Sequence, residues 1–579
     1  MTSIIQIWGV LTHSEKRISI LLVTFMFTAM IFEIIGLGVF IPLVYVLIGE
    51  QSSLNSSIFK DILLNFKFEN KKDSIIFFAA SFGFVIFVKN LFLIFSTWFN
   101  NKNLQNLSKR VSQQLFKNYI EAPYFFHIKN NSSKLLYNCT DATDVFKEAS
   151  GHLINLFSEI MVLIGLSFFL FYFEPIGFLI SSSIMLFIGF VYFRINKNKL
   201  FQLGKKIELS QKEKIKSLMQ GLGGIKIIKI LKKEKNFMNI FNQHNSETNF
   251  YKYLANFITN LPRFILEIIV VIFGAVAMVL LSLRNIPSTE IFLKASVFGF
   301  AALRMLPSLN RIISSFEKFR VCKFQINTVY TQINYPFLSE GRESKKNELI
   351  NLDKFENLSL ENIDFKFENS DKYILKNISF KINKGEYIGI VGKTGSGKST
   401  LIDLITGLIE PSSGSVNVNN ININRYENWK TKIGYVPQFI YLTDDTLKKN
   451  IAFGLDENEI DENQVLKSID QANLNYFLKN LENGTEEILG ERGVKISGGE
   501  MQRIGLSRAI YNDPDLLIFD EFTSSLDFKT EEEILNNILR YKGEKTIIVI
   551  SHKLSTLKDC DRIIEVTEGK IKENQNYAK

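Results

Sequence analysis

Residues 387–400 read Tyr387-Ile388-Gly389-Ile390-Val391-Gly392-Lys393-Thr394-Gly395-Ser396-Gly397-Lys398-Ser399-Thr400, an apolar run, a glycine-spaced loop, then a lysine and two hydroxyls. The apolar run has the length and make-up of a buried strand. The stretch after the loop, STLIDLITGLI, reads as a helix. Gly392 to Ser399 fit the P-loop pattern at every position, and the strand–loop–helix context gives that pattern its meaning. Glycines let backbone N–H groups wrap a phosphate, and the following helix N-terminus favours its negative charge. Gly392, Thr394, Gly395, Ser396, Gly397 and Thr400 are therefore expected to cradle the phosphates of ATP. Lys398 is expected to bring a point charge to the β- and γ-phosphates, and the Ser399 hydroxyl to ligate Mg²⁺. A glycine-rich loop that binds no nucleotide is the bland alternative, and a full match in context outweighs it.

Downstream, Leu516-Leu517-Ile518-Phe519-Asp520-Glu521 is an apolar run closed by two carboxylates. Behind a P-loop, Asp520 is placed to hold Mg²⁺ through water and Glu521 to orient and deprotonate the attacking water. Between the two motifs stands Ile496-Ser497-Gly498-Gly499-Glu500, followed by Met501-Gln502-Arg503. This stretch resembles the signature of the ABC ATPases, and the rest of that family's constellation is present in order. The resemblance implies that Gln438, in GYVPQ, ligates Mg²⁺ and touches the membrane half, and that His552, in ISHK, contacts the γ-phosphate. It implies that Ser497, Gly498 and Gly499 bind phosphate and that Asp527, in SSLD, belongs to the D-loop. Leu489-Gly490-Glu491-Arg492-Gly493 is similar to the loop that precedes the signature in exporters. Phe367, 25 residues before Gly392, stands where the family stacks a tyrosine under adenine, and it keeps the stacking face. The signature departs from the commoner LSGGQ at Ile496 and at Glu500, and the second change adds a carboxylate.

Upstream, six hydrophobic runs can each cross about 30 Å of hydrocarbon: 18–48, 74–99, 152–173, 176–194, 254–283 and 290–316. The third and fourth abut at Glu174-Pro175, a tight hairpin. Lysine-rich segments come after spans two and four. Placing them in the cytoplasm satisfies the positive-inside rule and puts both termini and the ATPase half there. The tips of these segments, at Ala122-Pro123-Tyr124-Phe125-Phe126 and at 223–237, are the candidate coupling helices, against the bland reading of basic surfaces lying on lipid. SSIFKDILLNF, between spans one and two, is a candidate interfacial helix. The expected architecture is multi-domain. An all-α six-helix transmembrane domain (1–320) is followed by a polar linker (321–357) and an α/β P-loop ABC nucleotide-binding domain (358–579).

Composition narrows the partners. The net charge of +9 sits largely in the lysines between spans, so membrane orientation accounts for it and nucleic acid is not indicated. Cys139, Cys322 and Cys560 are scattered without metal-like spacing, which argues against disulfides and zinc. The N-terminal stretch lacks a signal-peptide layout, and about 17 residues precede span one, too few for a processing peptidase domain. High Lys, Asn and Ile content points to a bacterial source, hence to the cytoplasmic (inner) membrane.

Charges inside the spans bear on cargo. Arg304 and Arg311 lie seven residues apart in span six, on one helical face. Counted from Glu290, Arg304 is roughly 20 Å inward and Arg311 about 10 Å deeper. Span five brings Arg263, after Pro262, to a comparable depth, and Lys89 in span two adds a fourth charge. An arginine near the bilayer centre costs about 2.5–3.5 kcal/mol on insertion scales, so it faces a cavity or a partner. A cavity ringed by such charges suits an anionic head group. Against this, Arg263 has Glu267 one turn away, and Arg311 is able to snorkel into water. The run 300–313, FAALRMLPSLNRII, with Leu261-Pro262-Arg263, is similar to bacterial PglK-like flippases for lipid-linked oligosaccharides, of the type IV exporter fold and the protein-glycosylation pathway. That resemblance implies a polyprenyl-pyrophosphate glycan as cargo, moved from the inner to the outer leaflet, with Arg263, Arg304 and Arg311 as its pyrophosphate contacts.

One copy of each motif and six spans make half of a full exporter, so a homodimer is expected, the signature of each chain closing on the partner's P-loop. Peptide or bacteriocin export, multidrug export and lipid-A-type lipid export remain open within exporters. From another class, so does a membrane-bound ATPase sensor that transports nothing.

Overall fold

The fold is taken from a computed structural model, which describes residues 2–48, 71–173, 175–283, 288–334, 349–367, 370–490, 496–523 and 528–574. Two compact units emerge, Met1–Ala122 with His127–Leu338, and Pro123–Phe126 with Ser339–Lys579.

The first unit is helical because its apolar runs are long, and the prolines inside them, Pro42, Pro262 and Pro307, do not end the helices. A short α1 (Thr2–Val10) precedes α2 (His13–Ile48) and α3 (Lys71–Ile120). The short α4 (Tyr124–Lys129), whose residues up to Phe126 belong to the second unit, and α5 (Ser132–Cys139) lead to α6 (Asp141–Phe173) and α7 (Pro175–Gly223). After α8 (Ile225–Ile230) come α9 (Glu234–Leu283), α10 (Ser288–Val321) and α11 (Lys323–Ile333). Each of the six long helices contains one of the six expected spans. Among the described residues, four stretches are long and apolar enough to cross a membrane: His13–Val44, Lys72–Ile120, Ser132–Tyr172 and Glu234–Val276. The 50 residues of α3 span about 75 Å, more than twice a hydrocarbon core, so the helix runs well beyond its apolar stretch. Along that stretch Phe84, Phe87, Leu91, Ile94 and Phe95 are exposed, a surface that water disfavours and lipid accepts.

Packing joins α7 to α9, α6 to α10, and α2 to both α3 and α6. At Gly204 the backbone of α7 meets that of α10 so closely that a Cβ would overlap the Val321 carbonyl oxygen. Residues 323–333, expected to belong to a linker, are helical, with Gln325, Ile326 and Val329 buried. The expected interfacial helix of SSIFKDILLNF lies outside the described residues, as does Glu174.

The second unit holds two sheets. A four-stranded antiparallel sheet has the order β2-β1-β4-β5, with β1 Asn357–Phe365, β2 Leu375–Asn383, β4 Ser413–Val418 and β5 Ile421–Asn422. The six-stranded sheet has the order β10-β9-β3-β8-β7-β6. Its strands are β3 Tyr387–Val391, β6 Ile433–Val436, β7 Leu516–Asp520, β8 Thr546–Ile550, β9 Arg562–Thr567 and β10 Lys570–Asn574. Only β10 is antiparallel. Parallel strands are covered on both faces, which is why YIGIV, LLIFD and TIIVI read as continuous apolar runs. The consequence for function is positional. Four adjacent strands, β3, β8, β7 and β6, end at the same edge, which is where open α/β sheets put their ligands.

Candidate functional site

At that edge β3 runs into the P-loop, β8 into Ser551-His552, β7 into Asp520-Glu521, and β6 into Pro437-Gln438. Adjacent parallel strands lie about 4.8 Å apart, so residues from four distant parts of the chain arrive within reach of one another. The loop needs its glycines. Gly392 has φ +154° and Gly397 φ +107°, and a Cβ on Gly392 would overlap the Val566 carbonyl oxygen. Gly397 then opens α12 (Lys398–Ile405). The buried Lys398 ammonium donates to the carbonyls of Gly392 (2.7 Å) and Lys393 (3.3 Å) and lies 3.3 Å from His552 Nε2. The buried Ser396 hydroxyl has no hydrogen-bond partner among the described residues. A loop with an orphaned hydroxyl and a held cation fits a phosphate chain.

Glu521 is the hub of the cluster. Gln438 Nε2 donates to its Oε2 at 3.0 Å, and His552 Nε2 lies 3.2 Å from its Oε1. Its backbone has φ +46°, unusual for a residue with a side chain, and is held by its N–H donating to the Ile550 carbonyl at 3.0 Å. Beside it, Asp520 accepts from the Tyr435 hydroxyl at 3.3 Å. Burial pushes the Asp520 carboxyl up, with Glu521 adding to the effect while Tyr435 and Lys398 oppose it. Asp403, on α12, is pushed up to about 6 by burial and by Asp520. Two carboxyls raised in this way leave room for a cation. Among the described residues, though, no three His, Cys, Asp or Glu side chains gather to hold one. Ser399, Asp520 and Gln438 therefore fit Mg²⁺ only together with phosphate oxygens and water, the usual arrangement for this ion.

The signature stands apart from this cluster. Ser497 caps α13 (Gly498–Ile510), and Glu500 closes a reciprocal box with it. Ser497 N donates to Glu500 Oε2 at 2.8 Å, its hydroxyl donates to the same oxygen at 2.7 Å, and Glu500 N donates back at 3.3 Å. None of the described hydrogen bonds joins Ser497, Gly498 or Gly499 to the P-loop, Glu521 or His552. Asp527 and residues 491–495 lie outside the described residues. Phe367 packs edge-on against Phe365 (5.3 Å between centroids) and stacks on Phe125 (5.9 Å, 15°), so one of its faces carries an aromatic ring.

In the first unit the expected charges separate. Arg311 meets a carboxylate not expected from the sequence. Its Nε lies 2.5 Å from Glu159 Oε1, and its Nη2 donates to Oε2 at 3.3 Å. Lys89 is buried and paired with the equally buried Glu33 on α2 (3.3 Å), so it adds no net positive charge of its own, contrary to the expectation. Arg263 is exposed and, among the described residues, forms no ion pair with Glu267. Arg304 lies on α10, its side chain beyond the described part. Glu159 and Glu33 carried a signal that a search of the spans for carboxylates would have found. Tyr435 and Asp403 carried none, since only the register of β6 beside β7 and the helix after the P-loop bring them to Asp520.

Comparison with known proteins places this geometry. Residues 38–293 match the ABC transporter transmembrane region, and residues 375–524 the ABC transporter family. An ATP-dependent lipid A-core flippase of Wigglesworthia glossinidia brevipalpis is 30% identical over 571 residues, covering 93% of this chain and 92% of that protein. One from Pasteurella multocida is 28% identical, covering 85% and 84%. Over 38% of this chain and 30% of the relative, the mitochondrial iron-sulfur clusters transporter ATM1 of Candida glabrata is 39% identical. An ATP-bound structure of a bacterial Atm1-family ABC exporter shares the fold, with a TM-score of 0.76, 19% identity and 94% of each chain covered. The chain belongs to the ABC transporter family, as an exporter half-transporter whose ATP-binding domain hydrolyses ATP to drive transport through its membrane-spanning region.

Proposed function

We propose that the chain works as a homodimer in a bacterial inner membrane, takes ATP with Mg²⁺, and flips an anionic lipid from the inner to the outer leaflet. The lipid we favour is a lipid-linked oligosaccharide carried on polyprenyl pyrophosphate. Both termini and the ATPase half face the cytoplasm on this reading, with membrane domain 1–320 and nucleotide-binding domain 358–579, while the helix at 323–333 takes up part of the 321–357 segment expected as linker.

The observation that carries the hydrolytic part is the convergence of Gln438 and His552 on Glu521, next to Lys398. Glu521 orients an attacking water and takes its proton, while Gln438 and His552 fix the carboxylate's two oxygens. Lys398, already held over the loop, meets phosphate charge without reorganising. Mg²⁺, when bound through Ser399, Asp520 and Gln438, supplies charge neutralisation at the phosphates. Because no described hydrogen bond joins Ser497 and its glycines to this cluster within one chain, a second copy is taken to bring a signature to each P-loop. ATP holds the copies together, and loss of the γ-phosphate frees them.

For the cargo, support comes from cations at span depth, Arg263, Arg304 and Arg311, and from lipid-flipping relatives that match along most of the chain. Those relatives also favour a second reading, in which the lipid is of the lipid A-core type. The test is ATP-dependent flipping in proteoliposomes of a fluorescent polyprenyl-pyrophosphate oligosaccharide and, separately, of lipid A-core, with Glu521→Gln and Arg304→Ala alongside. Flipping of the first lipid, lost in both variants while Arg304→Ala still hydrolyses ATP, supports the favoured cargo. Movement of lipid A-core alone selects the second reading. Hydrolysis without movement of either lipid sinks both.

A further inference from the structure

Glu531 is a buried carboxylate that the hydrolytic chemistry does not use. It lies in the first turn of α14 (Phe528–Leu539) and is 4% exposed. Four donors converge on it: Thr523 from the loop after β7, Lys553 from the loop after β8, and Ser555 and Thr556 from the short helix Leu554–Leu557 that follows it. The Lys553 ammonium reaches Oε2 at 2.6 Å. Oε1 accepts from the hydroxyls of Ser555 (3.1 Å), Thr556 (3.3 Å) and Thr523 (3.4 Å). Lys553 also donates to the Thr523 carbonyl at 2.8 Å.

These donors have informative places in the chain. Thr523 is two residues beyond Glu521, and Lys553 is the residue after His552. The two loops leave the ends of neighbouring parallel strands, β7 and β8, and are joined at their base by Glu521 N donating to the Ile550 carbonyl. Glu531 and Lys553 join them a second time, further out. Two ties fix the relative position of two loops far better than one. Held in register between them is the 3.2 Å approach of His552 to Glu521.

We infer that Glu531 and Lys553 are positioning residues for ATP hydrolysis, an ion pair anchored on a buried carboxylate that sets the His552–Glu521 geometry without touching nucleotide. The inference rests on the proposed role of Glu521 and His552. A misplacement of catalytic groups by about 1 Å costs on the order of a hundredfold in rate, whereas binding through the P-loop backbone is untouched. A pair that served only as glue would act on stability alone.

The experiment is steady-state ATP hydrolysis by the purified full-length protein, with ATP-binding stoichiometry and melting temperature measured on each variant. Glu531→Gln and Lys553→Met are expected to lower kcat by about tenfold to a hundredfold per ATP-binding protein, with KM for ATP unchanged. Lys553→Arg, which keeps a cation at the half-exposed end of the pair, is expected to restore most of the rate. In a His552→Ala background, Glu531→Gln is expected to cost nothing further, since the geometry it guards is gone. Native kcat per binding-competent protein in both Glu531→Gln and Lys553→Met, with only the melting temperature lowered, overturns the inference. So does full additivity with His552→Ala. Glu521→Gln is run in parallel. If that variant hydrolyses at the native rate, the hydrolytic reading itself falls, and it takes this one with it. If Glu521→Gln is dead while Glu531→Gln is native, only the positioning role is lost.

Discussion

Glu521 holds a left-handed backbone that costs a side-chain-bearing residue of order 1–3 kcal/mol, and such strain persists where the surroundings impose it. Asp403 bears a related burden. Its carboxyl is pushed up to about 6 by burial and by Asp520, so it protonates more readily folded than unfolded. The stability it contributes is then full below about pH 4 and lost as pH rises through about 6. Asp403→Asn is accordingly expected to raise the melting temperature of metal- and nucleotide-free protein at pH 8 and to have no effect near pH 4. Discounted for partial exposure, the gain is about 1–2 kcal/mol. An unchanged pH profile of melting would refute this. Glu500 tests another single charge. Glu500→Gln can keep the reciprocal box with Ser497, so melting should stay within about 0.5 kcal/mol of native. Removing a carboxylate from the place where the proposed partner phosphates arrive should lower KM for ATP severalfold, and titration of hydrolysis against ATP checks it. Lys398, Asp520 and Glu521 were legible in the sequence because phosphate chemistry dictates their types, and His552 only through the family resemblance. Tyr435 and Asp403 were not, since neither type is diagnostic: the register of β6 beside β7 brings Tyr435 to Asp520, and the helix after the P-loop brings Asp403.

Helices and strands were legible to different depths for a physical reason. Strands buried on both faces show as plain apolar runs, and spans must be apolar for about 20 residues, so both stand out against polar surroundings. Residues 323–333 hide their helix because Gln325, a polar side chain, shares its buried face with Ile326 and Val329, so the apolar period is broken, while Lys323, Asn327 and Thr331 are exposed. Close helix contacts are hidden too. Nothing in the sequence marks Gly204 as the point where α7 meets the Val321 carbonyl of α10. Gly204→Ala has to push two backbones apart there. The expected cost is about 1–3 kcal/mol, seen as a lower melting temperature in detergent, whereas Gly189→Ala, with open space around it, should cost nothing similar. Equal melting of the two variants would show that the contact is soft.

For the whole molecule, the Arg311–Glu159 pair bears on transport, since a cation already satisfied by a carboxylate must give that partner up to hold an anionic head group. Under the proposed function, Glu159→Gln should strengthen stimulation of ATP hydrolysis by anionic lipid, read as a lower half-saturating lipid concentration. A weaker response would assign Glu159 to structure alone. The pairing of Lys89 with Glu33 has a different consequence, one that concerns how the protein is made. Released singly into a bilayer, each of α2 and α3 would carry a charge costing about 2.5–3.5 kcal/mol near the centre. Entering as a hairpin, they cancel most of that cost against each other. Biogenesis should therefore favour joint departure of these two segments from the insertion machinery. A reversed pair, Glu33→Lys with Lys89→Glu, should recover the membrane-integrated yield that either change alone forfeits.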